Sequence, residues 1–119
     1  MIRKISLMVL VAAGMFGLSQ VSRAAGDDTF SVKGGDGPGK GKKIVLLAGD
    51  EEYRSEEALP QLAKILAKHG FDCTVCFSVD PKDGTISPNQ GDSITGPEAL
   101  DSADAIVMLL RFRHWPDDR

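Results

Sequence analysis

The chain has two cysteines, two histidines, one tryptophan and one tyrosine among its 119 residues. Each scarcity removes a class of function. A structural zinc site is built from four ligands, and Cys73-x-x-Cys76 has no second Cys or His pair to complete one. A membrane helix needs about 20 apolar residues. The mostly apolar run over residues 5–18 has 14. Cations are in the minority, 14 Lys and Arg against 17 Asp and Glu. Nucleic-acid binders concentrate positive charge on one surface, and no basic stripe interleaved with aromatics occurs here. Nothing in the pattern calls for a nucleotide, haem, flavin or other cofactor.

Residues 1–24 read as an address. Arg3 and Lys4 make a basic start, the apolar run follows, and Ser22-Arg23-Ala24 is a small-x-small cleavage signal. The expectation is a cleavable signal peptide and an exported, periplasmic or extracellular protein with no stable membrane span after cleavage; a retained anchor is the competing reading. This segment carries Arg3, Lys4 and Arg23 and no acid, so its removal takes the formal charge from −3 to −6. That balance favours a small, neutral or locally clamped ligand over a phosphate backbone.

Residues 25–41 read as a Gly-rich linker in which Phe30 and Val32 are the sizeable apolar groups. Gly34-x-x-x-x-Gly39-Lys40 approaches a phosphate-binding P-loop. Gly41 stands where that motif needs Ser or Thr, and the stretch precedes a strand instead of following one.

Residues 42–70 carry the strongest pattern. Five apolar residues, 44–48, lie between lysines and Gly49-Asp50, as in a strand buried on both faces. Leu59, Leu62, Ala63 and Leu66 then recur at helical spacing, and Gly70 is the expected cap. Ser55 reads as the N-cap with Glu56 and Glu57 in the first turn. Pro60 cannot donate a backbone hydrogen bond, so the helix is expected to start as one loose turn and run regularly from Pro60. The polar turn between strand and helix holds Asp50, Glu51, Tyr53 and Arg54, which capping does not account for. In open α/β sheets that turn lies at the carboxyl edge, where ligands bind.

Residues 71–77 alternate Phe71, Cys73, Val75 and Phe77 on one strand face. Residues three apart on a strand point to opposite faces with their α-carbons about 10 Å apart, too far for a disulfide. Two separate buried cysteines are expected, an intermolecular bridge being the alternative in an oxidising compartment. Residues 78–96 form a polar, turn-rich connection, with Asp83-Gly84 able to close a small hairpin and the whole serving as structure or as a rim over the site. Lys82 interrupts any calcium loop. Residues 97–102 read as one helical turn and 103–110 as a third strand, a second fully buried run.

That strand ends in Arg111-Phe112-Arg113-His114-Trp115. With doubly wound connectivity the strands at 44–48 and 103–110 are neighbours, so Arg111 and Arg113 face the acidic turn. Two readings stand: the guanidinium forks clamp a ligand, or they neutralise Asp50 or Glu51 internally. His114 offers an acid or base near neutral pH.

Gly49-Asp50-Glu51-Glu52-Tyr53-Arg54-Ser55-Glu56-Glu57-Ala58-Leu59-Pro60, with Arg111-Phe112-Arg113 and Pro116-Asp117, resembles the ThuA-like (trehalose utilisation) family, especially its exported bacterial branch. The resemblance covers about residues 42–119. It implies an α/β three-layer sandwich with a parallel, flavodoxin-like sheet of the class I glutamine amidotransferase-like type, truncated after about three strands. Cys73 and Cys76 lack the Gly-x-Cys-x-Gly surroundings of that wider fold's nucleophile, so neither inherits the role. The functional expectation is carbohydrate utilisation, with Asp50, Glu51, Tyr53, Arg54, Arg111, Arg113 and His114 as the candidate ligand-binding residues. A non-catalytic carbohydrate-binding or interaction module is the alternative, and an inactive fragment a third. With no fourth strand beside it, the run 105–110 would be an exposed edge prone to association.

Overall fold

The computed structural model describes residues 28–116; the expected signal peptide, the first part of the linker and Asp117 lie outside them. The fold is a small α/β domain with a four-stranded mixed sheet. Its elements run β1 (Phe30–Val32), β2 (Lys43–Gly49), α1 (Ser55–Lys68), β3 (Asp72–Phe77), a 3-10 helix (Pro97–Ser102) and β4 (Ala105–Leu110). The strand order is β1-β3-β2-β4. β2 pairs in parallel with β3 on one side and β4 on the other, while β1 is antiparallel to β3.

β2 is central because its side chains are apolar on both faces. Ile44, Leu46 and Ala48 pack with Cys73, Val75 and Phe77 beneath Leu59 and Ala63 of α1. Val45 and Leu47 pack on the opposite face with Cys76 and Ile94, flanked by Ala99, Leu100 and Trp115. The two cysteines thus fall on opposite faces of β3, both as buried thiols. Burial, then the neighbouring Asp72 charge, raises the Cys73 thiol above its ordinary pKa, so it stays protonated at neutral pH.

Three expectations change. The sheet is mixed, not wholly parallel, because Phe30 and Val32 of the expected linker form a short edge strand, paired with Val75 and Cys73. The glycines after it pack against the end of α1, where the Gly35 and Gly39 amides donate to Ala67 O (3.0 Å) and His69 O (2.9 Å). β4 is not fully buried. Val107 and Leu109 pack under α1, but β4 is an edge strand whose other face is incompletely covered, leaving Ile106 and Met108 exposed.

The third change is at the start of α1. The helix is regular from Ser55 and holds Pro60 in its interior, with Arg54 as N-cap in the left-handed region (φ 53°) and no side-chain cap. Arg54 O receives both the Glu57 and Ala58 amides, at 3.0 and 3.1 Å. Ser55 is drawn away from capping because its hydroxyl closes the preceding turn. At the other end Gly70 (φ 97°) ends the helix as expected. Its amide bonds Ala67 O (3.0 Å) and that of Phe71 bonds Leu66 O (3.3 Å), the paired bonds of a Schellman cap.

The long connection is anchored on the end of β3. Phe77 N–H donates to Thr95 Oγ1 and Thr95 N–H to Phe77 O, each at 2.9 Å. The expected hairpin is present as a bridge between Val79 and Ile86.

Candidate functional site

The parallel pairing of Gly49 with Leu110 sets the loops after β2 and β4 side by side at the carboxyl edge of the sheet. The candidate residues divide there into framework and surface.

Asp50 is framework. Its Oδ1 accepts the Glu52 and Tyr53 amides, both at 2.8 Å, in an Asx turn. Its own amide donates to Ser55 Oγ at 2.8 Å, and that hydroxyl donates back to Asp50 O at 3.3 Å. The reciprocal bonds lock the turn and project Glu51 to Arg54 outward.

Arg113 is framework as well, with its side chain only 6% exposed. Nε donates to Gly49 O, Nη1 to Gln90 O (2.7 Å) and Nη2 to Pro88 O (2.5 Å), while Glu51 Oε2 lies 3.5 Å from Nη2. One guanidinium therefore joins the end of β2, the long connection and the acidic turn. Gly49 makes room for it, since a β-carbon there would lie 2.8 Å from Arg113 Nε.

Arg111 is the surface counterpart. Its side chain is 38% exposed, ion-paired with Glu52 through Nη1 and facing Glu51 at 3.7 Å through Nε. Of the two sequence readings, internal pairing therefore holds for Arg113, while Arg111 pairs with carboxylates that also face solvent. Arg54 pairs with Glu57 along the helix. Tyr53 is exposed. His114 is exposed too, held through its amide to Gly91 O at 3.0 Å, a bond that ties the long connection to the loop after β4.

Two residues at the edge escaped the sequence reading. Glu52 was one of five carboxylates in the acidic stretch and was given no role of its own, and its partner is set by sheet order. Phe112 read as part of an aromatic run; its backbone is left-handed (φ 51°), and its ring centroid lies 4.7 Å from the Arg111 guanidinium.

A cavity of about 430 Å³ lies at the opposite end of the sheet, around the amino ends of β2 and β3. Its polar lining is already paired internally: Lys33 with Asp72, Lys43 with Ser102, Ser31 with Thr74. The carboxyl edge, where an ion pair meets solvent beside exposed aromatics, is the better candidate. Among the described residues no group of three or more His, Cys, Asp or Glu could hold a metal ion, and no helix is long and apolar enough to cross a membrane. Compared with protein-family models, curated proteins and solved structures, the chain matches none.

Proposed function

We propose that this is an exported protein of carbohydrate utilisation, carrying a ThuA-like domain of flavodoxin-like, three-layer architecture, and that the loops after β2 and β4 bind a small polyhydroxylated ligand. The sequence phrases around Asp50 and Arg111 support the family, and the parallel order β3-β2-β4 around the β2-α1-β3 unit suits a doubly wound sheet. Signal-peptide cleavage after Ala24 belongs to the same proposal.

The observation that carries the ligand reading is the solvent-facing pairing of Arg111 with Glu51 and Glu52. A sugar hydroxyl both donates and accepts, so a polyol can satisfy the guanidinium and the carboxylates together without disturbing the charge balance. The non-catalytic reading has an observation in its favour: Asp50 Oδ1 and the Arg113 fork, two groups a reaction could have recruited, are already engaged in the framework.

The test is calorimetric titration of the full chain with trehalose, with turnover of trehalose and an oxidised disaccharide followed in parallel. Wild type is expected to bind, and Arg111→Ala to lose about tenfold in affinity, the weight of one charge-assisted hydrogen bond, while its Tm stays within a few degrees because the pair is at the surface. Turnover by wild type would establish an enzyme; absence of both binding and turnover would sink the carbohydrate reading.

A further inference from the structure

Four of the six aromatic residues among those described, Phe30, Phe71, Phe77 and Trp115, pack in or against the two cores. The other two do not. Tyr53 is 67% and Phe112 71% exposed, and both lie on the loops that leave the carboxyl ends of the adjacent strands β2 and β4. Phe112 is the more demanding case. A bulky side chain at φ 51° meets steric cost that glycine or asparagine would reduce or avoid. No burial of the ring offsets that cost, and such uncompensated outliers concentrate at binding sites.

The chain reversal at Phe112 stands between two arginines of opposite fate. Arg113 runs inward beneath Gly49 and the long connection; Arg111 stays outside with its guanidinium 4.7 Å from the Phe112 ring centroid. The result is a layered group in which an exposed aromatic ring adjoins a guanidinium, and that guanidinium is paired with Glu52 beside Glu51.

Resting on the carbohydrate reading above, we infer that Phe112, assisted by Tyr53, is the stacking platform of a saccharide subsite: a pyranose lays its C–H face on the exposed ring while its hydroxyls engage Arg111 and Glu52. The chemistry selects this ligand class. A pyranose carries an apolar face and a rim of hydroxyls, so aromatic, donor and acceptor are all matched. A phosphorylated ligand would meet Glu51 and Glu52, and a wholly apolar one would desolvate the ion pair without replacing its hydrogen bonds.

Phe112→Gly separates a binding role from a structural one, because glycine takes φ 51° freely. In the full chain, titrated with trehalose, methyl α-D-glucopyranoside and adenosine, this variant is expected to keep or raise Tm and to weaken sugar binding about tenfold, with Tyr53→Ala weakening it less. If Tm falls together with affinity, Phe112→Tyr decides: sugar affinity near wild type supports the platform, and its loss overturns it. Unchanged sugar affinity in Phe112→Gly overturns the platform and leaves the carbohydrate reading standing. Wild type that binds neither sugar overturns both, and adenosine binding more tightly than either sugar overturns the saccharide assignment.

Discussion

At the scale of single residues, Arg111 and Arg113 show how the same side chain two positions apart serves opposite ends. Arg113 is buried and bonded to three backbone carbonyls and a carboxylate, so truncation would leave those acceptors without their donor. Arg113→Ala is expected to lower stability by about 3 kcal/mol, measured by urea unfolding. Arg111→Ala, which removes a solvent-facing pair, is expected to cost about 1 kcal/mol or less. Equal losses from the two would refute the division into framework and surface. The acidic turn and the arginine cluster were legible in the sequence as two halves of one edge, since residue type and strand order suffice to pair them. Which arginine turns inward was not legible: that depends on the left-handed backbone at Phe112 and on carbonyls from Pro88 and Gln90, distant in sequence and not distinguished by residue type.

At the scale of elements, two aspartates tie the amino ends of the strands. Asp72, the first residue of β3, binds the Lys33 ammonium and the Gly34 amide beside β1; Asp104, just before β4, binds the Lys43 amide and the Lys42 ammonium at the start of β2. Both carboxyls are held below their ordinary pKa, Asp72 chiefly by the bond from Lys33 and Asp104 chiefly by the Lys43 amide. A lowered folded-state pKa means that the stabilisation is fully present above the unfolded value of about 4 and is lost as pH falls through the folded values. Thermal melts between pH 7 and pH 2 should therefore show Tm falling below about pH 4, with a shallower fall in Asp72→Asn/Asp104→Asn. An acid limb unchanged by the double substitution would remove these carboxyls as its cause. The helix pattern and its Gly70 cap were readable because both are local. The short strand Phe30–Val32 was hidden because six glycines in residues 26–41 resemble a flexible linker, and only pairing with β3 and the approach of α1's end give that segment something to pack against.

At the scale of the whole molecule, the sheet has unequal edges. β1 is three residues long, whereas β4 offers six, Ala-Ile-Val-Met-Leu-Leu, without charge or proline. Natural edge strands are usually guarded by one or the other. Met108 is 66% exposed on the incompletely covered face. The full chain is expected to self-associate with rising concentration in sedimentation velocity, and Met108→Lys, which places a charge on that strand, should shift it toward monomer. A concentration-independent monomer for wild type would show that the edge is protected.

The sequence by itself determined the three parallel strands, the helix that joins the first two of them, the separation of the two cysteines, and the meeting of an acidic turn with an arginine cluster. The strands, the helix and the separation of the cysteines follow from apolar periodicity and strand alternation, and the rest from the expected neighbourhood of the strands at 44–48 and 103–110. Only the tertiary structure decided that a Gly-rich stretch supplies a fourth strand, that Ser55 closes a turn instead of capping a helix, that Arg113 is buried while Arg111 faces solvent, and that Phe112 stands exposed between them. Those outcomes depend on backbone carbonyls and amides brought together across long sequence separations, and such groups are the same in every residue type.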